Sequence, residues 1–163
     1  MKIILDTSAI LSLASGDILE TVIESIDCIV PTRVKEELRG ISQNNTSLGS
    51  IAKSVLEFVG RDILVLKPSS LSFEGEIECA YLAKEQKNVL FVITDDTKAI
   101  KKIQNISKKE VRFSTLLLFA LIQKRKINRE QAFTILEKMR VQRDWKNNII
   151  YEQAKILLES VSI

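Results

Sequence analysis

Not one histidine occurs in the 163 residues of this chain. That absence removes a Ser-His-Asp triad, a Cys-His dyad and any histidine-ligated zinc. Cysteine is almost as scarce, with Cys28 and Cys79 alone. Two thiols cannot build a four-thiolate zinc site, and nothing about them reads as a disulfide framework. Cys28 falls in an apolar strand and Cys79 on a helix, so both are expected as buried small hydrophobes. Five glycines and two prolines in a chain that is 45% apolar argue for an ordered protein rather than a disordered one. The longest apolar stretch lies within residues 113–122. It is too short to span a bilayer, and it reads as a helix either deeply buried or part of a subunit interface. The opening Met1-Lys2-Ile3-Ile4-Leu5-Asp6 is too soon charged for a signal peptide. These features predict a soluble protein of a reducing, cytoplasmic compartment, with no membrane association. The length predicts one domain over residues 1–163.

What the chain does have is acid at particular places. Asp6 follows Ile4-Leu5, Glu36-Glu37 precede Leu38, Glu76 and Glu78 follow Gly75, and Asp95-Asp96 follow Thr94. Gathered in one cleft, these groups would raise each other's pKa. Without histidine, the natural relief is a cation that prefers oxygen, Mg²⁺ or Mn²⁺. That points to metal-assisted phosphodiester chemistry. The bland readings are a helix N-terminal charge for Asp6, solvated helix faces for the glutamates and turn residues for Asp95 and Asp96.

Charge is also unevenly placed. Residues 1–97 carry net −6, residues 98–146 net +10 and residues 147–163 net −1. An acidic half beside a basic flank suits a metal site next to a phosphate-binding surface, or else a set of solvated helix faces.

Short apolar runs at 2–5, 28–30, 63–66, 89–93 and 111–113 read as strands. Helical patterns alternate with them, Thr7 or Ser8 being the expected cap of the first. Pro31 is expected to end the second strand and open a helix that Gly40 terminates. Further helices are read from Ile51 to Gly60, over 73–86, and from Thr97. Three more are read at 114–124, 129–140 and about 147–160, with Asn128 and Gln131 as a capping box. The alternation predicts a three-layer α/β/α sandwich with a mainly parallel sheet, its core at about 1–113 and a C-terminal helical extension at about 114–163. In such sheets ligands bind beyond the carboxyl ends of the strands, where Asp6 and Asp95-Asp96 fall.

The order of the acidic motifs resembles the PIN domain family of metal-dependent ribonucleases. Asp6-Thr7-Ser8-Ala9-Ile10 looks like the family's opening, and Glu37-Leu38-Arg39-Gly40 like its helical glutamate. Glu76 with Ala80 and Ala83 is similar to its third acidic position. Val92-Ile93-Thr94-Asp95-Asp96 is similar to its closing strand and turn. The form Gly75-Glu76-Ile77-Glu78 resembles the branch near the VapC-type toxins. The third position is Glu where many members have Asp.

The resemblance implies an Mg²⁺- or Mn²⁺-dependent endoribonuclease with Asp6, Glu37, Glu76 and Asp96 as catalytic metal ligands. Glu36, Glu78 and Asp95 are the alternates. Thr7, Ser8 and Thr94 would orient carboxylates or water, and Lys98, Lys101 and Lys102 would hold the RNA backbone, unless they form a solvated face. With aromatics at 6%, base reading by stacking is not expected. A homodimer and a small antitoxin partner are further implications, as is a toxin or an RNA-processing role. A haloacid-dehalogenase-type phosphatase would need a second Asp where this chain has Ser8. A phospho-receiver would need an Asp after 63–66, where Lys67-Pro68 stands. A PIN-like fold kept as an RNA- or protein-binding module is the non-enzymatic alternative.

Overall fold

The computed structural model describes residues 2–160. Lys2–Leu5 forms β1, and Ile3, Ile4 and Leu5 are fully buried. The reason is position: β1 lies at the centre of the sheet, parallel to β2 (Asp27–Pro31) on one side and β4 (Val89–Ile93) on the other. The edges are β3 (Leu64–Leu66), parallel to β2, and β5 (Glu110–Arg112), parallel to β4. The order is β3-β2-β1-β4-β5. The central β1 is covered on both faces, which is why Ile3-Ile4-Leu5 is an unbroken apolar run, whereas Leu90 of β4 stays exposed. The chain builds outward from β1 through β2 to β3, then crosses to the other side of β1 for β4. The order therefore reverses between β1 and β4, the place where a parallel α/β sheet opens a crevice.

Helices complete a three-layer α/β/α sandwich. They are α1 (Thr7–Ser15), α2 (Leu19–Ser25), α3 (Thr32–Ser42), α4 (Ser47–Val55), α5 (Gly75–Glu85), α6 (Ala99–Ser107), α7 (Leu116–Gln123), α8 (Arg129–Gln142) and α9 (Ile149–Ser160). Helix α5 packs on β1, β2 and β4 and against α6, while α1 packs against α4 and α8. The buried Leu118, Leu121, Leu136, Met139 and Leu158 of the last three helices join the same hydrophobic cluster as Ile3 and Ile93. Cys28 and Cys79 are both buried free thiols, as expected. No helix of the described residues is long and apolar enough to cross a membrane.

Several boundaries differ from the sequence expectation. Pro31 is the last residue of β2, paired with Leu66, and α3 starts at Thr32. Gly40 does not terminate α3, which continues to Ser42. A Cβ at Gly40 would meet nothing within 4 Å, so the position is open surface. Helix α4 ends at Val55, short of Gly60, whose φ of +98° instead makes the turn before β3. Neither Thr7 nor Ser8 caps α1: the cap position is Asp6, without a side-chain capping bond. The capping box at Asn128 and Gln131 is formed in both directions, at 2.8 Å each. Helix α7 buries Leu117, Leu118 and Leu121 and leaves its other apolar residues half-buried.

Candidate active site

The ends of β1 and β4 are stitched together at the switch point. The Asp6 N–H donates to the Ile93 carbonyl at 2.9 Å, continuing the ladder one residue past β1. This brings the Asp6 side chain beside Thr94. Asp6 Oδ2 accepts from Thr94 Oγ1 at 2.8 Å and from Ser8 Oγ at 3.1 Å. Each hydroxyl has one proton to give, and both go to Asp6. Their lone pairs then accept backbone N–H groups, Ser8 from Asp95 at 2.9 Å and Thr94 from Asp96 at 3.1 Å. The pair of hydroxyls therefore fixes Asp6 and the turn after β4 as one unit. Asp6 is only 6% exposed. Burial pushes its pKa from 3.8 up to about 6, against the pull of Thr94, the Thr7 backbone and Ser8, with a further push from the Glu37 charge.

Glu37 comes from α3 and is held by α1 and α5. Thr7 Oγ1 donates to Oε2, and the Gly75 N–H donates to Oε1 at 2.8 Å. A carboxylate at a helix N-terminus is stabilised by the free N–H groups and the helix dipole. The approach requires glycine, since a Cβ on residue 75 would lie 2.6 and 2.8 Å from the two carboxylate oxygens. Arg33 Nε lies 3.8 Å from Oε1, one helical turn before.

Glu76 sits in the first turn of α5 with Lys102 Nζ 3.5 Å from Oε1, and the same ammonium pairs more closely with Glu74. Asp96 is exposed and accepts the Lys98 N–H at 2.9 Å, forming the turn into α6. Cys79 is buried on α5. Its thiol is raised well above its usual pKa by burial, then by the charges of Asp6, Glu37, Glu76 and Glu78. Thr7 ties Glu37 to the segment beside Asp6, and Glu76 follows the Gly75 whose N–H binds Glu37, whereas Asp96 is tied to Thr94 by its backbone N–H alone.

The alternates are separated by their hydrogen bonds. Glu78 is 3% exposed and accepts from Thr32 Oγ1, the Arg33 N–H and the Ser72 N–H at 3.0–3.2 Å. It fastens the start of α3 and the loop before α5, so its place is structural. Asp95 accepts from Ser114 N–H at 2.8 Å and Ser114 Oγ at 2.6 Å, which ties the β4 turn to the segment leading into α7. Burial raises its pKa and Ser114 lowers it. Glu36 is exposed and pairs with Arg33 at 3.0 Å. Lys98 and Lys101 are exposed on or beside α6, whereas Lys102 is engaged with Glu74 and Glu76.

The oxygen-only donor set is of the type Mg²⁺ and Mn²⁺ prefer. Among the described residues, however, no three Asp, Glu or Cys groups stand close enough together to enclose a metal ion. The reason is visible in the partners: hydroxyls on Asp6, Thr7 and Gly75 on Glu37, Lys102 on Glu76, and the Lys98 N–H on Asp96. Arg33, Glu74 and Ser114 are site neighbours that sequence reasoning missed. Only Arg33 carried a signal, its spacing of four residues from Glu37 on one helix.

The architecture defines the class of parallel α/β/α sandwiches, here with carboxylates near the switch point of the sheet. Within that class the assignment is direct: a family model described as a PIN domain matches residues 2–160, and the chain belongs to the PIN domain family. PIN domains are typically nucleases and generally use divalent metals. No curated protein and no solved structure matches the chain.

Proposed function

We propose that this chain is a metal-dependent endoribonuclease that hydrolyses RNA phosphodiester bonds at Asp6, Glu37, Glu76 and Asp96. The observation that carries the reading is Asp6. A buried carboxylate with a raised pKa, beside a second carboxylate, is costly unless a cation joins it. Asp6 and Asp96 would hold Mg²⁺ or Mn²⁺ from the strand ends, and Glu37 and Glu76 from the helices. The ion would lower the pKa of a bound water and offset charge on the phosphate. The protein's part is positioning. Ser8 and Thr94 fix the Asp6 carboxylate and the β4 turn, and Thr7 with the α5 N-terminus fixes Glu37. Lys98 and Lys101 supply cations for the backbone of the substrate. The toxin-like motif Gly75-Glu76-Ile77-Glu78 has its own structural account, since Gly75 admits Glu37 and Glu78 fastens α3. The homodimer implied by the resemblance belongs to the same proposal, and sedimentation of the full chain checks it.

The test is Mn²⁺-dependent cleavage of a mixed-sequence single-stranded RNA by wild type and Asp6→Asn. Loss of a metal ligand is expected to lower the rate by at least about 100-fold. Cleavage that survives in Asp6→Asn, or in EDTA, overturns the assignment. The ion pair between Lys102 and Glu76 favours a second reading, a binding module in which lysine occupies the metal's place. Absence of both cleavage and calorimetric Mn²⁺ binding would select it.

A further inference from the structure

Beside the carboxylates lies a groove of about 410 Å³, walled by Thr32, Arg33, Lys67, Leu71 and Phe73, with Glu36 and Glu78 also in its lining. Phe73 is 91% exposed and Leu71 60%. An isolated exposed apolar residue is ordinary, but this one is held out. On one side of it the Ser72 N–H is bound by buried Glu78 at 3.1 Å, and on the other the Glu74 N–H donates to Ser72 Oγ at 3.1 Å. Further back, Ser69 N–H and Oγ both bond Glu85. The loop between β3 and α5 is thus pinned along its length, with the ring left in solvent. Two residues later, Gly75 holds the Glu37 carboxylate. Arg33 lines the groove and lies 3.8 Å from Glu37, so groove and site share a wall.

We propose that Phe73 is a stacking platform for a base of single-stranded RNA flanking the scissile bond, with Lys67 taking an adjacent phosphate. The inference rests on the nuclease reading above. The chemistry favours a nucleotide: an exposed aromatic ring and a lysine line the same groove, and the volume suits a small planar group. A stable protein partner would need roughly 1,000 Å² or more of complementary surface, and here the apolar part is two side chains among Ser, Thr and charges. Stacking of this kind tolerates any base, so it supplies register rather than sequence choice.

The test is binding of a 5′-labelled single-stranded RNA by the full chain in EDTA, read by fluorescence anisotropy. Phe73→Ala is expected to weaken binding about 10-fold, with circular dichroism unchanged because the ring is outside the core. An RNA with an abasic site opposite Phe73 should bind wild type and Phe73→Ala alike. Phe73→Trp should keep affinity and show emission quenching on adding RNA, while buried Trp145 in wild type stays constant. Lys67→Ala should reduce the salt slope by about one phosphate's share. Equal affinity of wild type and Phe73→Ala overturns the platform, and with cleavage intact it leaves the nuclease standing with Phe73 free for a protein partner. Phe73-dependent binding without any metal-dependent cleavage upholds the platform and removes the nuclease.

Discussion

Asp6 shows how far a single side chain departs from its solution behaviour. In the metal-free protein it keeps its proton up to about pH 6, against an ordinary 3.8. Between these values the folded chain holds a proton that the unfolded chain has released. Stability therefore falls as pH rises from about 4 to 6, then levels. A shift of this size corresponds to about 3 kcal/mol. Melting in EDTA should show Asp6→Asn several degrees above wild type at about pH 7.5, with the two converging near pH 4. A constant difference across that range would show that Asp6 does not titrate as its burial requires. The placement of Asp6-Thr7-Ser8 just beyond the end of a strand was legible. The division of labour was not, because Thr7 reaches Glu37, 30 residues away, while Ser8 from the start of α1 and Thr94 from the turn after β4 converge on Asp6.

At the scale of elements, two glycines act differently. Gly75 opens α5 against the Glu37 carboxylate. Gly75→Ala should push that carboxylate off the helix N-terminus, with a cost of about 1–2 kcal/mol and a fall in metal-dependent cleavage of roughly 10-fold or more. Melts and cleavage rates check it, and an unchanged variant would mean Glu37 is not required where it stands. Gly40 lies inside α3 with open space beside it. Gly40→Ala should stabilise by about 0.5–1 kcal/mol, read from denaturant midpoints. Gly40 looks like a terminator because glycine often is one, but helix ends follow what the flanking residues pack against. Val34 and Leu38 are buried before that point, and Ile41 just beyond it packs against the core. Where local chemistry alone suffices, sequence succeeded, as at the Asn128 capping box.

Across the whole molecule the dominant feature is the separation of charge. The basic 98–146 region carries net +10 and the acidic 1–97 region net −6. Folding joins them in part, through Lys138 with Asp17 and Lys102 with Glu74 and Glu76. Others, such as Arg112 with Glu110 and Arg140 with Glu137, are paired locally. Exposed pairs of this kind add little stability. Under the proposed function, the remaining cations would make binding to RNA a salt-dependent event. Three to four phosphate contacts would give a log–log slope of about −2 to −3 for a single strand. Lys98→Ala and Lys101→Ala should each flatten it. A slope near zero between about 50 and 200 mM salt would rule out the basic flank as the RNA surface.

The sequence by itself determined the alternation of apolar strands and amphipathic helices, and with it a parallel sandwich. It did so because burial on both faces of a parallel sheet demands unbroken apolar runs. It also placed Asp6 and Asp96 at strand ends, since each lies directly beyond such a run or its turn. Only the tertiary structure decided which carboxylates fasten the fold. Glu78 and Asp95 look like site residues in the chain, yet they bind the start of α3 and Ser114. The neighbours that matter to a carboxylate are whichever donors lie within about 3 Å, and for these groups the donors come from distant segments that only the packed chain brings within reach.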